Sequence, residues 1–173
     1  SRGRIALVTS HGFAGSYASS SHGFYASVLA GTGTAMERDY DHASAHHRVD
    51  LEAAEAVGRR AGEQAVARLN PRKVVSQQVP VVFDPRVSRS LLGHFAGAIS
   101  GVAVARGTSF LKDRMDQPVF ADGIRIVDDP HRPRGLASKP FDGEGVANRR
   151  LTLVEDGKLM TWLLDSSAAR QLG

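Results

Sequence analysis

Histidine is the residue type that could give this chain metal or acid–base chemistry, and there are seven. His42, His46 and His47 cluster with Asp39 and Asp41 in DYDHASAHH. His42 and His46 would share a face only if this stretch were helical, and its flanks are β-like, so an exposed polar strand or turn is the expected form. His11 and His22 lie in a Gly/Ser stretch and carry no ligand expectation. His94 stands in the apolar run LLGHFAGAI. A helical zinc peptidase site needs two imidazoles and an adjacent carboxylate that acts on the metal-bound water. Phe95 follows His94, and no Asp or Glu occurs from residue 85 to residue 112. A satisfied, partly buried histidine is therefore expected there.

The other nucleophile and ligand types are poorly represented. There is no cysteine, which excludes disulfides, thiolate nucleophiles and cysteine-based zinc sites and fits a reducing compartment. GTSF at 107–110 lacks the G-x-S-x-G elbow. The glycine-rich stretches match neither a phosphate-binding loop nor a dinucleotide fingerprint. The acidic pairs Asp128/Asp129 and Asp142/Glu144 read as turn-makers in solvated loops. Catalytic and metal-binding residues are both expected to be absent.

These residues sit in a chain of ordinary globular composition, 42% hydrophobic and 23% charged over 173 residues, so a buried core is expected. The formal net charge of +4 is scattered through the sequence rather than gathered into a basic stripe, which argues against nucleic-acid binding. No run reaches the roughly 18 apolar residues of a membrane span. The N-terminus has no signal-peptide pattern. The abrupt ends suggest a piece of a longer protein.

The elements follow from pattern. Residues 4–9, 24–29 and 35–41 read as strands of an antiparallel meander, with residues 10–23 as a Gly/Ser loop. Asp50 looks like the N-cap of a helix reaching Asn70 and Pro71, with Leu51, Ala54, Val57, Ala61, Ala65 and Leu69 on one face. VPVVF (79–83) reads as a strand, and Asp84-Pro85 as a helix start leading into a buried helix around SRSLLGHFAGAISGVAV. Residues 118–121 and 124–128 look like strands, and 129–148 like a long Pro/Gly loop. Asp156-Gly157 marks a hairpin, and Asp165 caps a closing helix. The fold class is α+β, with antiparallel sheets and a few packed helices.

The order VVFDP, LLGHFAGAISG, GTSFL, IRIVDDP, FDGEGV, LVEDGKL and LLDSSAARQLG resembles the TldD/PmbA family, the modulators of DNA gyrase. The PmbA or TldE branch is the nearer likeness. Upstream, the SHGF loop, MERDYD and the helix with VGRRA fit the same pattern, so the resemblance covers essentially the whole chain. It implies that residues 1–75 end an N-terminal α/β domain and residues 76–173 begin a β-rich C-terminal domain. It also implies a cytoplasmic heterodimeric metallopeptidase active in peptide maturation and proteolysis, whose TldD subunit holds zinc on a His-Glu-x-x-x-His helix plus a distant Cys. If His94 matches the first ligand, Phe95 stands at the Glu and Ile99 at the second His. Shifted by one, His94 stands at the Glu and Ala98 at the second His. The motif is degenerate, no catalytic residue is carried over, and zinc is expected only in the TldD-like partner.

The leading expectation is thus a zinc-less subunit that pairs with a TldD-like partner and helps hold an extended peptide substrate. Arg106, Ser109, Phe110, Phe141, Asp142 and Glu144 are the candidates for peptide or partner contact. Self-association is left open, and no membrane contact is expected. The alternative is a regulator that binds DNA gyrase or nucleic acid. An independent hydrolase using Asp142/Glu144 or the His42/His46 cluster has no motif behind it.

Overall fold

The computed structural model describes residues 1–173 and is mixed α+β, with small antiparallel sheets and four α-helices. The chain divides into two compact units. Ser1–Gln77 and the returning segment Arg132–Val146 form the first, and Gln78–His131 and Ala147–Gly173 the second.

The first unit is built from two hairpins and a helix. Strands β1 (Arg2–Val8) and β2 (Ala14–Ser20) pair antiparallel, from Arg2 opposite Ser20 to Val8 opposite Ala14. The Gly/Ser stretch expected to be a loop therefore contains a full strand. Its serines and glycine have weak β preference, and pairing with β1 overrides it. Strands β3 (His22–Ala30) and β4 (Glu37–Ala45) form a second two-stranded sheet rather than the continuation of one meander.

Helix α1 (Ala54–Ala67) covers one face of that second hairpin. Val57, Ala61 and Ala65, spaced four apart, are fully buried, and Asp39, Asp41, Ala43 and Ala45 alternate inward from β4. Alanines on both elements let helix and sheet approach closely, and the burial of Val57 alone contributes on the order of 1.5–3 kcal/mol. The helix begins later than Asp50 suggested. Ala53 is the N-cap, with no side-chain bond, because the acidic residues ahead of it serve elsewhere. Asp50 accepts from Arg134, and Glu52 accepts from Arg60. At the other end Asn70 takes a left-handed φ of 55°, which asparagine tolerates, and Pro71 follows.

The two inward aspartates of β4 are neutralised by the helix. Arg60 Nε donates to Asp41 Oδ2 at 2.6 Å while its Nη2 reaches Glu52 at 2.7 Å, and Arg68 Nε lies 3.1 Å from Asp39. Burial pushes the Asp41 carboxyl up, but the Arg60 hydrogen bond, the His42 N–H and the Arg60 charge together hold it below the usual range. Glu52 is lowered by its bond to Arg60, against a smaller effect of burial.

The stretch that follows α1 and enters the second unit at Gln78 is irregular. VPVVF forms no strand: residues 71–84 have no regular structure, and Val74, Val75, Val81 and Val82 stay exposed because no strand of this chain pairs with them. Helix α2 (Pro85–Ala98) starts as expected, with Asp84 Oδ1 accepting from the Arg86 N–H at 2.9 Å and Pro85 in the first turn. It is not a buried helix. Phe95 is its one buried residue, and Val87, Leu91 and Leu92 are exposed. The chain turns at Ile99-Ser100 into α3 (Gly101–Ala105). A Cβ on Gly101 would stand 2.6 Å from Leu164 and 2.8 Å from Ala168, so glycine permits the closing helix α4 (Ser166–Leu172) to pack against α3.

Strands β5 (Ile126–Asp128), β6 (Leu151–Glu155) and β7 (Lys158–Leu159) make a three-stranded antiparallel sheet in that order. The 118–121 run adds only a bridge from Pro118 to Lys158. At the β6–β7 turn Asp156 and Gly157 both have positive φ, 46° and 76°, as a type I′ turn requires. Phe95, Ile99, Leu111, Leu153, Val154 and Leu159 form the core of this unit, flanked by Val119, Ile126, Trp162 and Leu163.

Arg60→Gln should lower stability at neutral pH, since it leaves the buried Asp41 without its cation. A carboxyl held low in the folded state stabilises above its unfolded pKa of about 4 and loses that contribution as pH falls through the folded value. Denaturant unfolding of the full-length protein should therefore show a gap between wild type and variant that is largest near pH 7 and narrows below about pH 4. A gap that is constant with pH would contradict the role given to Asp41.

Candidate functional site

The helix around His94 bears directly on metal chemistry. His94 is exposed rather than partly buried, because it points away from the face that carries Phe95 and Ile99. Those two residues are 8% and 0% exposed, four apart, and together in the core. The Phe95 ring meets Phe120 edge to face at 5.2 Å. Ala98 is half-buried against the same cluster. The helix therefore presents one imidazole to solvent and two hydrocarbons to the interior. Nowhere in the chain do three His, Cys, Asp or Glu side chains gather as a metal site would require. These residues do not fit a zinc ion.

The neighbouring candidates divide between surface and scaffold. Arg106 is the C-cap of α3 and is exposed. Gly107 N–H donates to Val104 O and Thr108 N–H to Ala103 O, the two bonds of a Schellman motif, with Gly107 at φ 69°. Ser109 is buried, donating to Ala98 O at 2.6 Å and accepting from Leu111 N–H at 3.0 Å, so its hydroxyl ties the loop to the end of α2. Phe110, next in sequence, is 81% exposed.

Phe141, Asp142 and Glu144 belong to the first unit, whereas Arg106, Ser109 and Phe110 belong to the second. Phe141 is 9% exposed and meets Phe13 at 4.9 Å and Tyr17 at 5.4 Å, both edge to face. It pins the returning segment onto the β1–β2 hairpin. Asp142 Oδ1 accepts from the N–H groups of Glu144 and Val146, both at 2.9 Å. Gly145 has φ 84°, and a Cβ there would press on the Phe13 ring at 2.6 Å. The FDGEG sequence is thus a turn built around its aspartate, with Glu144 on the exposed side.

The histidine–aspartate cluster separates as strand alternation requires. Asp39 and Asp41 face α1, while His42 projects from the other face of β4 and stacks near Tyr40 at 6.5 Å. His46 leaves the strand end, and its Nδ1 lies 2.5 Å from the Ser20 carbonyl oxygen.

Sequence reasoning did not find one feature. A cleft of about 530 Å³ opens in the first unit, lined by Arg2, Tyr17 to Ser20, His46, His47, Arg134, Gly135 and Ser138. The residues come from four separate stretches, so no local motif marks it. Arg134 takes φ 55° in a turn closed by Gly135 N–H to Arg132 O and by Ser138 Oγ to Arg132 O at 2.8 Å.

Two family models match the chain: the PmbA/TldA metallopeptidase central domain over residues 1–69 and the C-terminal domain of the same family over residues 76–173. The chain belongs to the PmbA/TldD metallopeptidase family. It is 40% identical to the metalloprotease PmbA of Escherichia coli O157:H7 over 164 residues, 95% of this chain and 36% of that protein. A PmbA homologue of Haemophilus influenzae is 39% identical over the same share of each. The chain thus spans about a third of the length of these relatives. Among solved structures, a Bacteroides thetaiotaomicron protein described as a modulator of DNA gyrase superposes with a TM-score of 0.93 at 28% identity, over 99% of this chain and 39% of that one. TldE from Thermococcus kodakarensis shares the fold, with a TM-score of 0.73 at 20% identity, over 98% of this chain and 38% of that one. No helix is long and apolar enough to cross a membrane.

Ile99→Ala in the full-length protein should cost about 2–5 kcal/mol in denaturant unfolding, the range for emptying a packed core position. His94→Ala should stay within roughly 0.5 kcal/mol of wild type, as exposed substitutions do. Equal costs at the two positions would contradict the placement of this helix face.

Proposed function

We propose that this chain is part of a zinc-less, non-catalytic subunit of a PmbA/TldD-type peptidase. It pairs with a TldD-like subunit that carries the zinc, and helps hold the peptide to be cut during peptide maturation and proteolysis in the cytoplasm. What supports this reading is that Phe95 and Ile99, which by resemblance stand at the family's zinc-helix positions, have no lone pair for a metal and have their surface in the core. Hydrolysis by a metal needs ligands, a bound water and a carboxylate to take its proton. The α2 segment supplies none of the last and one imidazole of the first. Family membership and likeness to PmbA relatives support a role in peptide cleavage all the same. Assembly with a subunit that has the missing groups reconciles the two.

Holding a peptide needs less than cutting one. An extended peptide can join the edge of a small sheet through main-chain hydrogen bonds with little demand on its sequence. Strand β2 pairs on one side only, with β1, and so has an edge to offer.

Cleavage of an unstructured peptide should require both the full-length protein and a TldD-like partner, with neither active alone. His94→Ala in this protein should leave the activity of the pair unchanged within about twofold, a difference of well under 1 kcal/mol. Cleavage by the unpartnered protein, abolished by His94→Ala, would overturn the proposal.

A further inference from the structure

The cleft beside β2 collects guanidinium, imidazole and hydroxyl groups. Arg2 on β1, His46 and His47 after β4, and Arg134 on the returning segment all line it, with Ser19, Ser20 and Ser138. No Asp or Glu is in the lining. Several of these groups are already engaged. Arg134 Nη1 donates to both oxygens of Asp50, at 2.7 and 3.0 Å. Ser20 Oγ donates to the His46 carbonyl at 2.5 Å, and His46 Nδ1 faces the Ser20 carbonyl. Ser138 Oγ donates to Arg132 O. These bonds fix the walls. Arg2 and His47 are exposed, and they are the guanidinium and imidazole donors that a ligand entering from solvent would meet.

Strand β2 also borders the cleft. Tyr17, Ala18, Ser19 and Ser20 line it in succession, and β2 has no strand partner on the side away from β1. A strand edge and two guanidinium groups, of which Arg134 is paired with Asp50 and Arg2 is exposed, therefore occur in one place.

We propose that this cleft binds acidic peptides: an extended segment lies along β2, and an Asp or Glu side chain or a C-terminal carboxylate is held by Arg2 and His47. The proposal rests on the peptide-holding role above and narrows its substrate class. A guanidinium holds a carboxylate through two parallel hydrogen bonds, stronger than neutral ones, and so favours the acid over its amide. A charge-matched groove also raises the local concentration of acidic chains.

Fluorescence anisotropy on the full-length protein without a partner tests this, with a labelled extended peptide rich in Asp and Glu and its Asn/Gln counterpart. The acidic peptide should bind roughly tenfold more tightly, about the effect of one charge-assisted hydrogen bond. That advantage should shrink as salt rises. Arg2→Gln with His47→Gln should remove the advantage while leaving the amide peptide's affinity and the melting midpoint unchanged. His47→Gln alone, should the pair disturb folding, should remove part of it. Equal affinity for the two peptides, or an acidic preference that survives the substitutions, would overturn the proposal. Neither result depends on the partner or on zinc. Equal affinities would leave the zinc-less role standing, and absent cleavage by the reconstituted pair would leave the acidic preference standing.

Discussion

Phe95 and Ile99 lie one helical turn apart on α2 and share the core with Leu111, Leu153, Val154 and Leu159. That packing fixes the orientation of the helix. A residue at position 94 is then turned to solvent, while positions 95 and 99 cannot carry polar atoms without unpaired burial. The same face settles what surrounds it. The end of α2 must turn at Ile99-Ser100 so that Ile99 O accepts from Leu163 N–H and Gly101 N–H donates to Leu163 O. Ser109 then closes the loop after α3 onto Ala98. The end of α2 is a structural rib of the second unit.

The first unit depends on a different balance. Its helix–sheet interface contains two aspartates among alanines, an arrangement stable only while arginines from α1 answer them. Arg60 binds both Asp41 and Glu52, and Arg68 lies beside Asp39. The β1–β2 hairpin is fastened by rings instead: Phe141 meets both Phe13 and Tyr17 and brings the returning segment to that hairpin. That fastening also completes the cationic cleft, because Arg134, Gly135 and Ser138 arrive with the segment that Phe141 anchors. The FDGEG turn is thus part of what holds the walls of the cleft in place.

What could be read from sequence was local. Asp84-Pro85 and Asp165 act through bonds within a few residues and Asp156-Gly157 through its own backbone conformation, and each stands where its chemistry indicates. What could not be read depends on distant partners. Strand β2 looks like a loop because its serines gain strand geometry only against β1. VPVVF looks like a strand but has none to pair with. The apolar run of α2 looks buried, yet most of that side is uncovered. Asp50 has the chemistry of an N-cap but is held by Arg134, 84 residues away in sequence. That Phe95 and Ile99 carry no metal-binding atom was legible from residue identities alone. The cleft was not, since its walls come from residues 2, 17–20, 46–47 and 134–138.

The central claim is that the interior side of α2 is hydrocarbon where catalysis would need ligands. The most direct test is the zinc content of the purified full-length protein, without its partner, after exchange into metal-free buffer. The account expects far less than one zinc per chain. One tightly held zinc per chain, released by replacing His94, would contradict it.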